Sequence, residues 1–552
     1  VEHSTKEDDM MKTLDSWKAL SRLPLLPLAL CTACGMARSV GTAAPMVSVV
    51  AAPPPPSPAG AVQPDVSAEQ YAKVPENPFF VAREQPVSTF SADVDTAGYS
   101  NVRRFLLGES RLPPHDAVRI EEMLNYFRYD YPAPPPTGDA PLAATLEVSD
   151  CPWAPSHQLV RIGLQAKQID RDHMPPRNLV FLLDVSGSME PANRLPMVKR
   201  GMRMLVDQLT DKDTVAIVTY AGASGLALPP TRGDQKGAIL AALSRLEAGG
   251  GTNGAEGIQL AYQIATEHFQ PGAINRVLLS TDGDFNVGVT SQAALVRLIE
   301  KERASGVYLS VLGVGEGNLH DATMEMLADK GNGNYAYLDR LSEARKVLVE
   351  QAGGTLVTVA NDVKLQAEFD PAKVRSYRLV GYENRVMENR DFNDDTKDAG
   401  DMGAGHSVTA LYEIDPAPAV APPRVAHAAP LGAKSVALAA RAEGAPLVTL
   451  RVRYKDPGQS ESKLLSFPSG TPKPLAESSA DFRFAAAVAA FGLVLKDSAY
   501  KGNATLPLAD QLAASAAVTG APDPGGYRAE LRQMVNQAEL LRGDSRPAPV
   551  AR

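Results

Sequence analysis

The chain reads as an α/β protein: a doubly wound, mostly parallel sheet, flanked by a β-rich domain split around it and by helical segments. Short apolar runs at 179–183, 214–220, 276–280 and 307–313 alternate with segments of helical period. That is the pattern of buried parallel strands joined by helices. Alternating apolar and polar positions occur on both sides of this region: Val160, Ile162, Leu164 and Ala166 before it, Val363, Leu365, Ala367 and Phe369 after it. Each set is a half-buried sheet, and neither is large enough to close its own edges. They are therefore expected to pair in one domain with the α/β unit inserted.

Taken in order, the α/β unit spans 176–352. After strand 179–183 come a helix with Val198, Met202, Leu205 and Leu209 on one face, strand 214–220, an edge segment at Leu226 and Leu228, and a helix near 234–246. A glycine-rich turn at 249–254 precedes a helix burying Ile258, Ala261, Tyr262 and Ala265. Strand 276–282 follows, then a helix near 291–304, strand 307–313, a helix near 320–329, strand 335–338 and a last helix at 341–350. Outside it, 67–142 is expected to be helical, 143–175 to hold strands, 353–470 to be β-rich and 471–545 helical, with a short tail at 546–552. Residues 417–433 are a Pro/Ala-rich loop.

A length of 552 residues requires more than one domain. A formal charge of −9 argues against a nucleic-acid partner. Three cysteines, Cys31, Cys34 and Cys151, exclude a disulfide framework. Residues 1–34 look like a leader: basic residues, then an apolar stretch at 23–33 that is shorter than the ~20 residues needed to span a bilayer. Leu30-Cys31-Thr32-Ala33-Cys34 resembles a bacterial lipobox with Cys34 as the lipid acceptor, and Gly35 is compatible by that resemblance with an outer-membrane destination. Residues 35–66, with four consecutive prolines at 53–56, form an extended tether. The expected location is the cell envelope, lipid-anchored on the outer membrane or periplasmic face; a secreted protein is the alternative.

The chemistry concentrates at Asp184-Val185-Ser186-Gly187-Ser188, where the first buried strand gives way to a turn. A carboxylate and two hydroxyls at alternate positions offer hard oxygen donors to a Mg²⁺-like cation. Thr252 follows the glycine-rich turn, and Asp282 ends strand 276–282. Together these resemble the metal-ion-dependent adhesion site of von Willebrand factor type A (VWA) domains, a Rossmann-like fold. Asp184, Ser186, Ser188, Thr252 and Asp282 match the family's five metal positions. The flanks are similar to bacterial VWA lipoproteins, with a VWA-associated N-terminal region and an uncharacterised C-terminal region. The resemblance implies Mg²⁺ (or Mn²⁺ or Ca²⁺) and a protein partner presenting Asp or Glu, with no catalytic residues. A metal-dependent enzyme and a purely structural envelope scaffold are the alternatives.

Other motifs read as structural. Asp93-Val94-Asp95 is a turn, Gly313–Gly317 ends a strand, and the histidines, His406 included, have surface or capping roles. The acidic loop with Asp391, Asp394, Asp395, Asp398 and Asp401 is solvated, and Arg542-Gly543-Asp544 is a chance match to an adhesive tripeptide.

Overall fold

The chain enters through strands β1 (Phe80–Val81) and β2 (Val87–Ser91), helices α1 (Ala97–Arg103) and α2 (Ile120–Asn125), and strands β3 (Leu142–Asp150) and β4 (Gln158–Ala166). The computed structural model describes residue 69 and residues 71–543 apart from 136–137, 171–172, 252–253, 284–291, 318, 352–356, 398, 419–444, 520–522 and 524. The leader, Cys34 and the tether lie outside the described residues, as do Thr252, Asp398 and Asp544.

The α/β unit comes next. Its strands are β5 (Arg177–Asp184), β6 (Thr214–Tyr220), β7 (Ser224–Arg232), β8 (Ile274–Thr281), β9 (Tyr308–Val314) and β10 (Tyr335–Leu338). Its helices are α3 (Leu195–Asp207), α4 (Lys236–Arg245), α5 (Gly254–Glu267), α6 (Gln292–Arg303), α7 (Asp321–Lys330) and α8 (Leu341–Arg345), the last running on as a π-helix over Lys346–Gln351. The strand order is β10-β9-β8-β5-β6-β7, with every neighbour parallel except the β6–β7 edge pair. β5 shows why a continuous apolar run is needed. Leu179, Phe181 and Leu183 pack on the layer of α3, α4 and α8, while Val180 and Leu182 pack on that of α5, α6 and α7. The chain leaves β5 toward β6 and later returns to β8, so the order reverses between β5 and β8. Ligands in open α/β sheets bind at the carboxyl ends of strands at such a reversal.

The remaining strands are β11 (Thr358–Phe369), β12 (Val374–Val380), β13 (Val386–Met387), β14 (Gly400–Gly403), β15 (Ser407–Pro416), β16 (Val448–Lys455) and β17 (Ser462–Pro468). Two antiparallel sheets result, β1-β12-β15-β4-β3 and β13-β2-β11-β16-β17, with β14 beside β11. Ile162 on β4 pairs with Ala410 on β15, and Phe90 on β2 with Leu365 on β11. Side chains of both sheets share one core. The sandwich is thus split in sequence around the α/β unit. One expectation fails here: 67–142 is not uniformly helical, because β1 and β2 belong to the sandwich. Ser88-Thr89-Phe90-Ser91 is too short and too polar to announce a strand, and its partner β11 is distant in sequence.

Helices α9 (Ala480–Leu495), α10 (Leu506–Thr519) and α11 (Tyr527–Arg542) follow and pack with α1 and α2 around a separate core. Nearly every residue of α9 is buried, as an all-round apolar helix requires. The described residues form one compact unit.

Candidate metal centre

In the β5–β8 register Leu183 stands opposite Ser280, which places Asp184 and Asp282 at adjacent strand ends. Both are fully buried, at 0% and 1% exposure. Asp184 Oδ1 accepts from Ser186 N at 2.9 Å, and Oδ2 accepts from Tyr220 Oη and Thr281 Oγ1, each at 3.2 Å. Burial raises the Asp184 pKa; the Ser186 hydrogen bonds oppose that, and the nearby Asp282 charge adds to it. The loop then turns outward through a short 3₁₀ segment, Gly187–Met189, and Ser186 Oγ and Ser188 Oγ lie 3.0 Å apart.

The glycine-rich turn is fastened to this loop by two main-chain hydrogen bonds, Gly249 N to Val185 O at 2.8 Å and Gly187 N to Gly250 O at 3.1 Å. It feeds α5, which lies so close to the sheet that a Cβ on Gly257 would stand 2.8 Å from Tyr220 Cβ. Gly257 therefore lets the helix seat Tyr220, whose hydroxyl holds Asp184. Of the five predicted ligands, the structure brings together Asp184, Ser186, Ser188 and Asp282. Thr252 and the loop 284–288 that follows Asp282 are outside the described residues.

Arg194 completes the site, although no pattern in the sequence marks it. Its guanidinium donates to Asp282 Oδ2, to Ser188 O at 2.7 Å and to Glu316 O at 2.8 Å. It thereby ties the ends of β5, β8 and β9 together. Gly315 makes room for it: φ is +80° there, and a Cβ would lie 2.3 Å from Arg194 Nε. The only sequence signal was the glycine run 313–317, which does form the turn expected at a strand's end.

The donor set fits a hard divalent cation. All donors are oxygens, and the buried Asp184 carboxylate is met by neutral donors, with no ion pair to it among the described residues. A buried carboxylate without a counter-charge is costly, and a cation would supply it.

A protein from Escherichia coli (strain K12), uncharacterized protein YfbK, is 43% identical over 475 residues, covering 85% of this chain and 81% of that one. The chain belongs to the YfbK family of VWA-domain proteins. Residues 178–351 match the family described as von Willebrand factor type A domain, 65–161 that described as von Willebrand factor, and 354–541 that described as uncharacterized protein YfbK, C-terminal. A Synechocystis protein, sll0103, is 28% identical over 189 residues, 34% of this chain and 44% of that one. Among solved structures, a von Willebrand factor type A protein from Catenulispora acidiphila aligns with a TM-score of 0.38 at 16% identity, over 84% of this chain and 98% of that one. VWA domains typically mediate protein interactions, in some cases through a divalent metal.

The other motifs lie elsewhere. Asp395 is engaged by Arg453 and Ser462, and Asp401 by Asn361 and the Asp362 amide. Asp95 accepts from Tyr335 N at 2.7 Å and so joins the sandwich to β10. His406 is half-buried rather than a surface group, and burial lowers its pKa to about 4.

Proposed function

We propose that the VWA domain binds a protein partner through a divalent cation, Mg²⁺ or alternatively Mn²⁺ or Ca²⁺, without chemical turnover. Asp184, Ser186, Ser188 and Asp282, with Thr252 by family resemblance, would hold the ion. The bound ion supplies a compact positive charge that accepts a further oxygen from outside. An Asp or Glu side chain of the partner is the natural donor, since its charge pairs with the cation at short range.

The observation that carries this reading is the convergence of two buried carboxylates and two adjacent serine hydroxyls at the strand-order reversal. Both oxygens of Asp184 are engaged by protein donors, and Asp282 is engaged by Arg194. In this reading both carboxylates are committed to the ion and no further acid or base is assigned beside them, which favours binding over an enzymatic role. The exposed Gly187, Gly249, Gly250 and Gly251 leave the mouth open to a partner.

For location we propose the cell envelope, with Cys34 lipidated and residues 35–66 as spacer. No helix among the described residues is long and apolar enough to cross a membrane. Intact-mass analysis of membrane-extracted protein should show a lipidated N-terminal Cys34; a chain retaining Cys31 or starting beyond Cys34 contradicts it.

A pull-down from native envelope extract, in Mg²⁺ against EDTA, tests the function. The partner should be retained only with Mg²⁺ and lost in Ser188→Ala. Asp184 is fully buried, so Asp184→Ala also removes an acceptor of Tyr220 Oη and Thr281 Oγ1 and is the less clean variant. Equal capture in EDTA would place the docking surface elsewhere.

A further inference from the structure

A cleft of about 500 Å³ opens between the foot of the α/β unit and the sandwich. It lies away from the metal centre: Arg276, on its wall, is six residues before Asp282, or ~20 Å along a strand. Its volume is within the roughly 300–1,000 Å³ of small-molecule sites, which favour such domain boundaries.

Two features of its walls are unbalanced in opposite senses. On the α/β side Arg276 is 3% exposed, yet its guanidinium makes a single hydrogen bond among the described residues, Nη1 to Ser310 Oγ at 2.6 Å. Its Nε is buried without a partner, and no carboxylate hydrogen-bonds it. Other buried arginines differ: Arg103, Arg119 and Arg385 are held above the usual value by carboxylates, whereas burial pushes Arg276 down to about 10. Around Arg385 and Arg119, where α7 meets the sandwich, the imbalance is acidic. Arg385 faces Asp93, Asp95, Glu325 and Asp329, and Arg119 faces Glu122, Asp321 and Glu325. Six carboxylates thus share two guanidinium groups, and Asp329 Oδ1 is buried without a partner. Asp93 of the Asp93-x-Asp95 motif, read from sequence as a turn, lines this wall, and Asp95 meets Arg385 behind it.

A buried cation with one hydrogen bond, the Tyr308 ring and only the more distant charge of Asp401 to balance it, and an under-neutralised acidic group in the same cleft, call for a ligand carrying both charges. We propose that this cleft binds a small zwitterion of the amino-acid or short-peptide class, its carboxylate on Arg276 and its ammonium among Asp93, Asp329 and their neighbours. Charge-assisted hydrogen bonds of this type are shorter and stronger than neutral ones, and the ligand satisfies groups that the fold leaves unsatisfied.

The test is calorimetric titration and thermal shift of the full chain with alanine, glutamate and alanyl-alanine, against N-acetyl-alanyl-alanine amide, which lacks both charges. EDTA is present throughout, so the outcome is independent of the metal centre. At least one free-terminus probe should bind and raise the melting temperature, with the capped peptide inert. Arg276→Met should weaken that probe at least about tenfold without lowering the melting temperature, because it removes a buried, poorly paired charge. Asp93→Asn, on the half-exposed opposite wall, should weaken it as well. No binding by any free-terminus probe, equal binding of the capped peptide, or unchanged affinity in a folded Arg276→Met would each overturn the proposal.

Discussion

Arg194 forms an ion pair with Asp282 beside the 184–188 loop, with 13% of its side chain exposed against 0% for the aspartate. The pair leaves Asp282 partly neutralised, so a cation held there would keep more of its charge for an outside ligand. It follows that Arg194→Met should leave Asp282 buried and under-compensated, at a cost of roughly 3–5 kcal/mol. Added Mg²⁺ should restore part of the loss. Melting temperatures with and without Mg²⁺ check this; a variant no more Mg²⁺-dependent than the native chain speaks against it.

The last helix of the α/β unit is clamped. Arg103, 1% exposed, donates to Glu343 Oε2 at 2.7 Å and Glu530 Oε1 at 3.0 Å and also pairs with Asp339. Lys346 Nζ donates to Tyr126 O at 2.7 Å. Arg103→Met should therefore cost several kcal/mol, about 3–5 for a broken buried pair, and loosen α8 against α1 and α11. Hydrogen exchange over 341–351 should rise. Unchanged protection there would mean that packing rather than the ion pairs holds the helix.

Splitting the sandwich should be fatal to it. A fragment of residues 355–552 keeps β11 and β15 but loses β2 and β4, their partners in the register Phe90–Leu365 and Ile162–Ala410. Such a fragment is expected to melt without a cooperative transition. A sharp calorimetric transition would show that β11–β17 form a self-sufficient core.

Glu121 supplies a pH dependence. Burial, with the charges of Glu383 and Glu122 beside it, pushes its pKa from 4.5 up to about 7, and its Oε2 has no hydrogen-bond partner. The folded value exceeds the unfolded one, so this contribution to stability is full below pH 4.5. It is lost as pH rises to about 7. Glu121→Gln should flatten that fall and stabilise the chain at pH 8 by roughly 1–3 kcal/mol. Denaturant midpoints at pH 5 and pH 8 measure it, and parallel slopes for both proteins would remove Glu121 as the cause.

The sequence disclosed what was local. The run 179–183 and the loop 184–188 adjoin one another, so strand and ligands could be read together, and Asp282 followed from a second run of the same kind. Residues whose roles depend on distant partners were hidden. Arg194 stands in Pro191-Ala192-Asn193-Arg194, where no periodicity marks it, and its role appears only once β8 and β9 are placed beside β5. Phe90 became a core residue through β11, and Arg276 looked like an ordinary polar start to a strand. The α/β unit was legible because its contacts are between neighbouring elements, and the sandwich only in outline because its contacts cross the insertion.

In the proposed site Asp184, Ser186, Ser188 and Asp282 hold one divalent cation. Calorimetric titration of the metal-stripped full chain with Mn²⁺ tests it most directly. A single saturable ion per chain, lost in Ser186→Ala/Ser188→Ala while the melting temperature of the metal-free protein is unchanged, is the predicted result. No Mn²⁺ uptake by the native chain, or equal uptake by the double variant, would contradict the account.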